Sequence, residues 1–194
     1  MSLAHAARSG RLEVIQGCMF SGKTERLIAR LRDARESGRR VAAFKHRIDD
    51  RYDATHLITH RQDRFEAQRA ADAADIERQS RDAEVIGIDE GHFFGAPLIA
   101  VAERLVAAGR RVIVVGIDND AWGRPFTPMH QLSAVADEVV LAVTKCTRCG
   151  ADARYSQRLV PVESNLMVGG AESYEPRCRA CFQPLPGPPP AQEG

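Results

Sequence analysis

The chain has 194 residues, 44% hydrophobic and 27% charged, the balance of an ordinary globular domain with room for a small appendage. Lysine and arginine number 27 against 26 acidic residues, a net charge of +1 that argues against a protein built mainly to neutralise nucleic-acid phosphates. No apolar run approaches the ~20 residues needed to cross a bilayer, and the first residues lack the basic start and apolar stretch of a secretory signal.

In chain order, Leu12–Gln16 is a short apolar run ending at a glycine, a predicted first strand. From Lys23 to Ser37 the residues Leu27, Ile28, Leu31 and Ala34 recur at helical spacing, and Gly38 closes the helix. Val41–Phe44 reads as a second strand. Residues 48–63 are polar and aperiodic and are expected to be a loop, and the Ala-rich residues 66–79 an amphipathic helix. Val85–Ile88 is a third strand that runs into Asp89 and Glu90. Residues 96–108 read as a helix ended by Gly109, and Val112–Val115 as a fourth strand. Strands alternating with helices of this length predict an α/β fold, a parallel sheet covered on both faces. After Val143 the character changes: Cys146 to Cys181 carry two C-x-x-C pairs and few large apolar residues. Residues 184–194 are Pro-rich and expected to be disordered. The predicted division is therefore 1–143, 144–183 and a tail of 184–194.

Gly17-Cys18-Met19-Phe20-Ser21-Gly22-Lys23-Thr24 fits G-x-x-x-x-G-K-[ST] between a predicted strand and a predicted helix. Glycines let the backbone curl so that consecutive N–H groups face phosphate oxygens, and the helix N-terminus adds positive potential. Lys23 would reach the outer phosphates and Thr24 would ligate magnesium. Asp89, at the carboxyl end of a buried strand, is placed to hold that magnesium through water. Glu90 beside it is placed to take a proton from a nucleophile. Gly91 and His92, which follow directly, are assigned to the same nucleotide side.

Cys146, Cys149, Cys178 and Cys181 are two pairs separated by residues 150–177, the pattern of a closed tetrahedral zinc site. Four thiolates leave no open coordination position, so the expected role is structural. Without a secretory signal or the cysteine density of a disulfide scaffold, a reducing cytoplasm is expected, where paired C-x-x-C reads as a metal site rather than two disulfides. Cys18 is left over as a variable position of the phosphate loop.

At these residues the sequence resembles the type II thymidine kinase family, which includes the human cytosolic and many bacterial enzymes. Gly17–Thr24 is similar to the family's G-x-M-F-S-G-K-[ST], and Phe44–Tyr52 to its F-K-P-x-I-D-x-R-Y, followed by Thr59-His60. Ile88–Phe94 is similar to I-D-E-[AG]-Q-F-F, Gly116–Phe126 to G-L-D-x-D-F-R-G-x-P-F, and Gly169–Cys181 to G-G-x-x-x-Y-x-x-x-C-R-x-C. The resemblance implies a RecA-like P-loop kinase domain with a small zinc-ribbon domain whose loop, or lasso, closes over the nucleoside. It implies transfer of the ATP γ-phosphoryl group to the 5′-hydroxyl of thymidine, a step of deoxynucleoside salvage. Glu90 would be the general base, Arg51 would sit near the transferred phosphate and Asp49 near the magnesium.

The resemblance further implies that Met19, Phe93, Ile117 and Phe126 line the nucleoside pocket and that Ser156 lies beside the base. Asn165, Met167, Val168 and Gly169 would contribute backbone contacts from the lasso, with Tyr174 near the sugar. Thymidine triphosphate as feedback inhibitor and a homotetramer are also implied, with neither nucleic acid nor membrane as partner. Four positions depart from the family pattern: Ala121 replaces an aromatic residue, Trp122 an arginine, His92 a glutamine and His46 a proline. These bear on nucleoside affinity and base selectivity rather than on the reaction type, and Trp122 is positioned to supply aromatic surface one residue along. The rival readings differ in composition or order. A nucleic-acid motor calls for a basic stripe with stacking aromatics, and an adenylate-kinase-like enzyme for cysteines between the P-loop strands. A regulatory ATP-binding module would leave Glu90 idle.

Overall fold

The computed structural model describes residues 10–48, 55–58, 63–161 and 169–186. β1 (Arg11–Gln16) leads through the phosphate loop into α1 (Lys23–Glu36), then β2 (Val41–His46), β3 (His56–Ile58), β4 (Arg64–Glu66), β5 (Gln68–Ala70) and α2 (Ala73–Gln79). There follow β6 (Val85–Ile88), α3 (Pro97–Ala107), β7 (Arg111–Gly116), α4 (Met129–Val135) and β8 (Glu138–Leu141). The remaining strands are short: β9 (Thr144–Lys145), β10 (Asp152–Ala153), β11 (Tyr155–Arg158) and β12 (Tyr174–Arg177).

Among the described residues six strands form one parallel sheet in the order β5-β2-β6-β7-β1-β8. Its central strands are apolar on both faces, Val85–Ile88 and Val112–Val115 being buried throughout, because helices cover both sides. One core lies between the sheet and α2, α3 and α4, built on Phe44, Ile86, Val114, Leu98 and Leu132. The other lies under α1, which turns Leu27, Ile28, Leu31 and Ala34 onto Ile15, Ile113 and Val115. α1 ends as its sequence predicts: Gly38 takes φ 76° and its N–H donates to the Arg35 carbonyl at 3.0 Å.

Three local expectations differ from the structure. Of residues 48–63, the described His56–Ile58 is not loop: β3 pairs antiparallel with β4, and Leu57 and Phe65 are buried with the α1 core residues. Residues 66–79 are not one helix. Gln68–Ala70 runs as the sheet's edge strand beside β2, and α2 starts only after Asp72, whose carboxylate caps it by accepting from Asp75 N at 2.8 Å. Alanine spacing suits either state, and pairing with β2 decides it. Helix α4 and edge strand β8, absent from the sequence reading, complete the sheet; β8 leaves Val139 and Leu141 exposed.

Candidate functional site

The carboxyl ends of β1, β6 and β7 meet at the phosphate loop, because β7 lies between β1 and β6 in the sheet. Gly17 adopts φ 151°, and a Cβ there would sit 2.3 Å from the Ala142 carbonyl, so only glycine permits the turn. Gly22 and Phe20 also take positive φ, which curls the loop around the start of α1. Lys23 is buried; its Nζ donates to the Cys18 carbonyl at 2.7 Å, and the Ser21 hydroxyl donates to the same oxygen at 2.8 Å.

Thr24, in the first turn of α1, lies across from Asp89 at the end of β6. Its Oγ1 is 3.2 Å from both carboxylate oxygens. Asp89 is itself buried and anchored by its N–H, which donates to the Phe44 carbonyl at 2.9 Å. Glu90 then adopts φ 49° and ψ 46°, a left-handed conformation that reverses the chain after the strand. Phe20 and Glu90 are the two non-glycine residues with positive φ among those described, and both sit at this site. Such conformations store about 1–3 kcal/mol each and cluster where function requires them. His92, in the short 3-10 turn Gly91–Phe94, places Nδ1 3.6 Å from a Glu90 carboxylate oxygen. Its ring packs 4.2 Å from Phe93 and 5.3 Å from Phe126, centroid to centroid.

Beside these groups an apolar cluster gathers Met19, Ile117, Ala121, Phe126 and Tyr174, with Phe20, Trp122 and Leu185 packed against it. Four of the residues expected at the nucleoside pocket, Met19, Ile117, Phe126 and Tyr174, thus lie together, although they come from three separate stretches of chain. Phe93 adjoins through His92. Trp122 packs on the cluster at the position next to Ala121. Tyr174 is fully buried, with the Arg158 guanidinium 5.0 Å over its ring and donating to its hydroxyl. Gly169 takes φ 148°; a Cβ there would press on Ser173 at 2.9 Å and on the Tyr174 ring at 3.2 Å. Ser156 is buried on β11, and its hydroxyl accepts from the Met19 N–H at 2.9 Å. Asp49, Arg51, Asn165, Met167 and Val168 lie outside the described residues.

Two acidic residues of the loop after β7 escaped the sequence reading. Asp120 is buried and organises the loop, its carboxylate accepting from Trp122 N and Arg124 N, both at 2.9 Å, and from the Arg124 guanidinium. The repeat Asp-x-Asp ahead of a glycine is the signal that could have revealed this turn. Asp118 lies nearer Lys23; burial pushes its carboxyl above the usual carboxylate range, and its Oδ1 is buried with no hydrogen-bond partner.

The four cysteines expected to bind zinc come together. Their sulfurs all lie within 4.8 Å of one another, and Cys149 and Cys178 are 3.5 Å apart. Tetrahedral zinc with Zn–S bonds of about 2.3 Å separates its sulfurs by roughly 3.8 Å, so the donor set and spacing fit that ion. Gly150, at φ 75°, lets the first turn close with its N–H on the Cys146 carbonyl at 2.9 Å; Cys181 N donates to the Cys178 carbonyl at 3.1 Å in the second. Cys18 packs against Cys146, Cys178 and Ala153, and burial pushes its thiol up to about 11.

Comparison with known proteins decides the family. The thymidine kinase family model matches residues 10–182. The chain belongs to the thymidine kinase family. A thymidine kinase of Rhodothermus sp. (strain ITI 518) is 45% identical over 94% of this chain and 85% of its own. Those of Porphyromonas gingivalis and Bacteroides fragilis are 40% and 42% identical, over 98% and 91% of this chain and 93% and 88% of their own. The matched span runs from the start of β1 past the second C-x-x-C pair, so family membership covers the phosphate loop, Asp89 and Glu90, the apolar cluster and the cysteine site together. Among the described residues no helix is long and apolar enough to cross a membrane.

Proposed function

We propose that the protein transfers the γ-phosphoryl group of ATP to the 5′-hydroxyl of thymidine, giving thymidine monophosphate and ADP. The observation that carries this reading is the meeting of Thr24 with Asp89 at 3.2 Å beside an apolar cluster to which Glu90 is linked through His92. A phosphoryl donor and a largely neutral acceptor call for those two environments side by side.

In this mechanism the backbone N–H groups of the phosphate loop and the α1 N-terminus bind the triphosphate. Lys23 Nζ gives one of its three N–H donors to the Cys18 carbonyl and has others to reach the outer phosphate oxygens. Thr24 and Asp89 are the residues that would hold magnesium, which when bound spreads the charge on the β- and γ-phosphates. Glu90 accepts the 5′-hydroxyl proton as that oxygen bonds to the γ-phosphorus and the bond to the β–γ bridging oxygen breaks, releasing ADP. Met19, Ile117, Phe126 and Tyr174 exclude water and orient the nucleoside, with Phe93 and Ser156 at its margin. The family resemblance supports Arg51 and Asp49 at the phosphates and Asn165, Met167, Val168 and Gly169 over the base. The packing of His92 against Phe93 and Phe126 favours the nucleoside side for it over the nucleotide side expected from sequence, and Gly91 backs onto Val114, Leu98 and Met129.

We further assign residues 1–143 to phosphoryl transfer and 144–183 to a zinc-held nucleoside module. A cytoplasmic homotetramer inhibited by thymidine triphosphate is the family-based expectation. Incubation with magnesium-ATP and a panel of nucleosides tests the function. Thymidine converted to its monophosphate far faster than purine nucleosides or ribonucleosides supports it; equal or absent conversion of thymidine contradicts it.

A further inference from the structure

The peptide group between Cys18 and Met19 is held from both sides. On one side its carbonyl accepts from Lys23 Nζ at 2.7 Å and from the Ser21 hydroxyl at 2.8 Å. On the other its N–H donates to Ser156 Oγ at 2.9 Å, a contact joining residues 137 positions apart in sequence. A peptide unit is planar, with its C=O and N–H pointing in opposite directions, so fixing one end fixes the other. Ser156 belongs to β11, beyond the first cysteine pair, whereas Lys23 opens α1. The same peptide's Cys18 side chain is buried against Cys146, Cys178 and Ala153. The cysteine module therefore holds both the peptide's N–H and the Cys18 side chain, while the phosphate loop and α1 hold its carbonyl.

We propose that Ser156 is a positioning residue for the phosphate loop: by orienting the Cys18–Met19 peptide it sets Lys23 and the loop for ATP, independently of any contact with the nucleoside. This rests on the reading of Gly17–Thr24 as the ATP-phosphate loop. Without the hydroxyl, a buried N–H loses its acceptor and the peptide is free to rotate, taking the Lys23 acceptor with it. The cysteine module is then part of the nucleotide site as well as of the nucleoside site.

The test is binding of magnesium and the non-hydrolysable β,γ-imido analogue of ATP to the full chain, by calorimetry, with no thymidine present. Ser156→Ala is expected to bind about fivefold or more weakly, the equivalent of one lost hydrogen bond, and Ser156→Thr, which keeps the hydroxyl, to bind as wild type. Amide hydrogen exchange at Met19 is expected to accelerate in Ser156→Ala and not in Ser156→Thr. Chelation of the cysteine-bound metal is expected to weaken analogue binding as well. Unchanged analogue affinity in Ser156→Ala, with only the KM for thymidine raised or only the melting temperature lowered, would overturn the proposal. A wild-type chain that phosphorylates thymidine but binds the analogue through another segment would overturn the phosphate-loop reading, and this proposal with it.

Discussion

Thr24 Oγ1 sits equidistant, at 3.2 Å, from the two carboxylate oxygens of Asp89. The two residues are 65 positions apart, on a helix start and a strand end. Parallel order in the sheet, with only β7 between their strands, brings them together. A hydroxyl and a carboxylate converging in this way leave oxygen ligands, hard donors, where a magnesium nucleotide would place its phosphates. Asp89→Asn keeps the shape and removes the charge. Phosphorylation is expected to need much higher magnesium, with kcat down about 10²-fold or more, while the melting temperature stays within a few degrees. Titrating magnesium at fixed ATP checks this, and an unaltered magnesium requirement would count against the pairing.

Among the described residues, the buried cluster at the cysteines adds only Ala153 and the phosphate loop's Cys18 to the ligands, so the module's own apolar core is small. Zinc binding worth roughly 10–16 kcal/mol in small peptides is comparable to the about 5–15 kcal/mol that stabilises a whole domain. Chelation is expected to release one zinc per chain and to open residues 144–183 to protease while the sheet persists. Metal analysis with limited proteolysis measures both, and a zinc-free chain with an intact, protected module would refute it.

Gly87 lies in β6 directly under α1. A Cβ added there would meet Leu31 Cδ1 at 2.8 Å, Leu31 Cδ2 at 2.9 Å and Leu27 Cδ1 at 3.0 Å. The helix could not give way at one methyl without lifting both leucines from Ile113 and Val115. Gly87→Ala is expected to lower stability by about 1–3 kcal/mol, read from chemical denaturation. Gly38→Ala is the control for an open position: no atom lies within 4 Å of its Cβ, so only its positive φ is strained.

Asp118 gives a pH-dependent prediction. Burial raises its carboxyl above the ordinary value, with Lys23 opposing in part. A raised folded-state pKa means the protonated form suits the fold, so this residue favours folding below its unfolded pKa and loses that contribution as pH rises through the folded value. Asp118→Asn is therefore expected to raise the melting temperature at pH 7 and to lose that advantage toward pH 4. A gain equal at both pH values, or none at pH 7, would contradict the burial argument.

Much of this was readable in the residues themselves. The phosphate loop, Asp89 with Glu90 and the two cysteine pairs are short patterns whose chemistry demands fixed spacing, so they survive without a structure. Leu27, Ile28, Leu31 and Ala34 announce α1 because one face alone is buried. Residues 66–79 misled, since alanine fits strand and helix alike and pairing of Ala70 opposite His46 is a tertiary matter. Strand β8 escaped because Val139 and Leu141 face outward on an edge, which breaks the buried run that marked its neighbours. Asp118 and the Ser156 grip on Met19 depend on contacts across the whole chain, which no local pattern encodes.

The central claim is that Glu90 removes the proton from the nucleoside hydroxyl next to a phosphate loop that binds independently of it. The direct measurement compares wild type with Glu90→Gln for thymidine monophosphate formation and, on the same preparations, for binding of the β,γ-imido ATP analogue. The account predicts kcat lower by about 10²–10⁴-fold with analogue affinity unchanged. Glu90→Gln that turns over thymidine at the wild-type rate would contradict it.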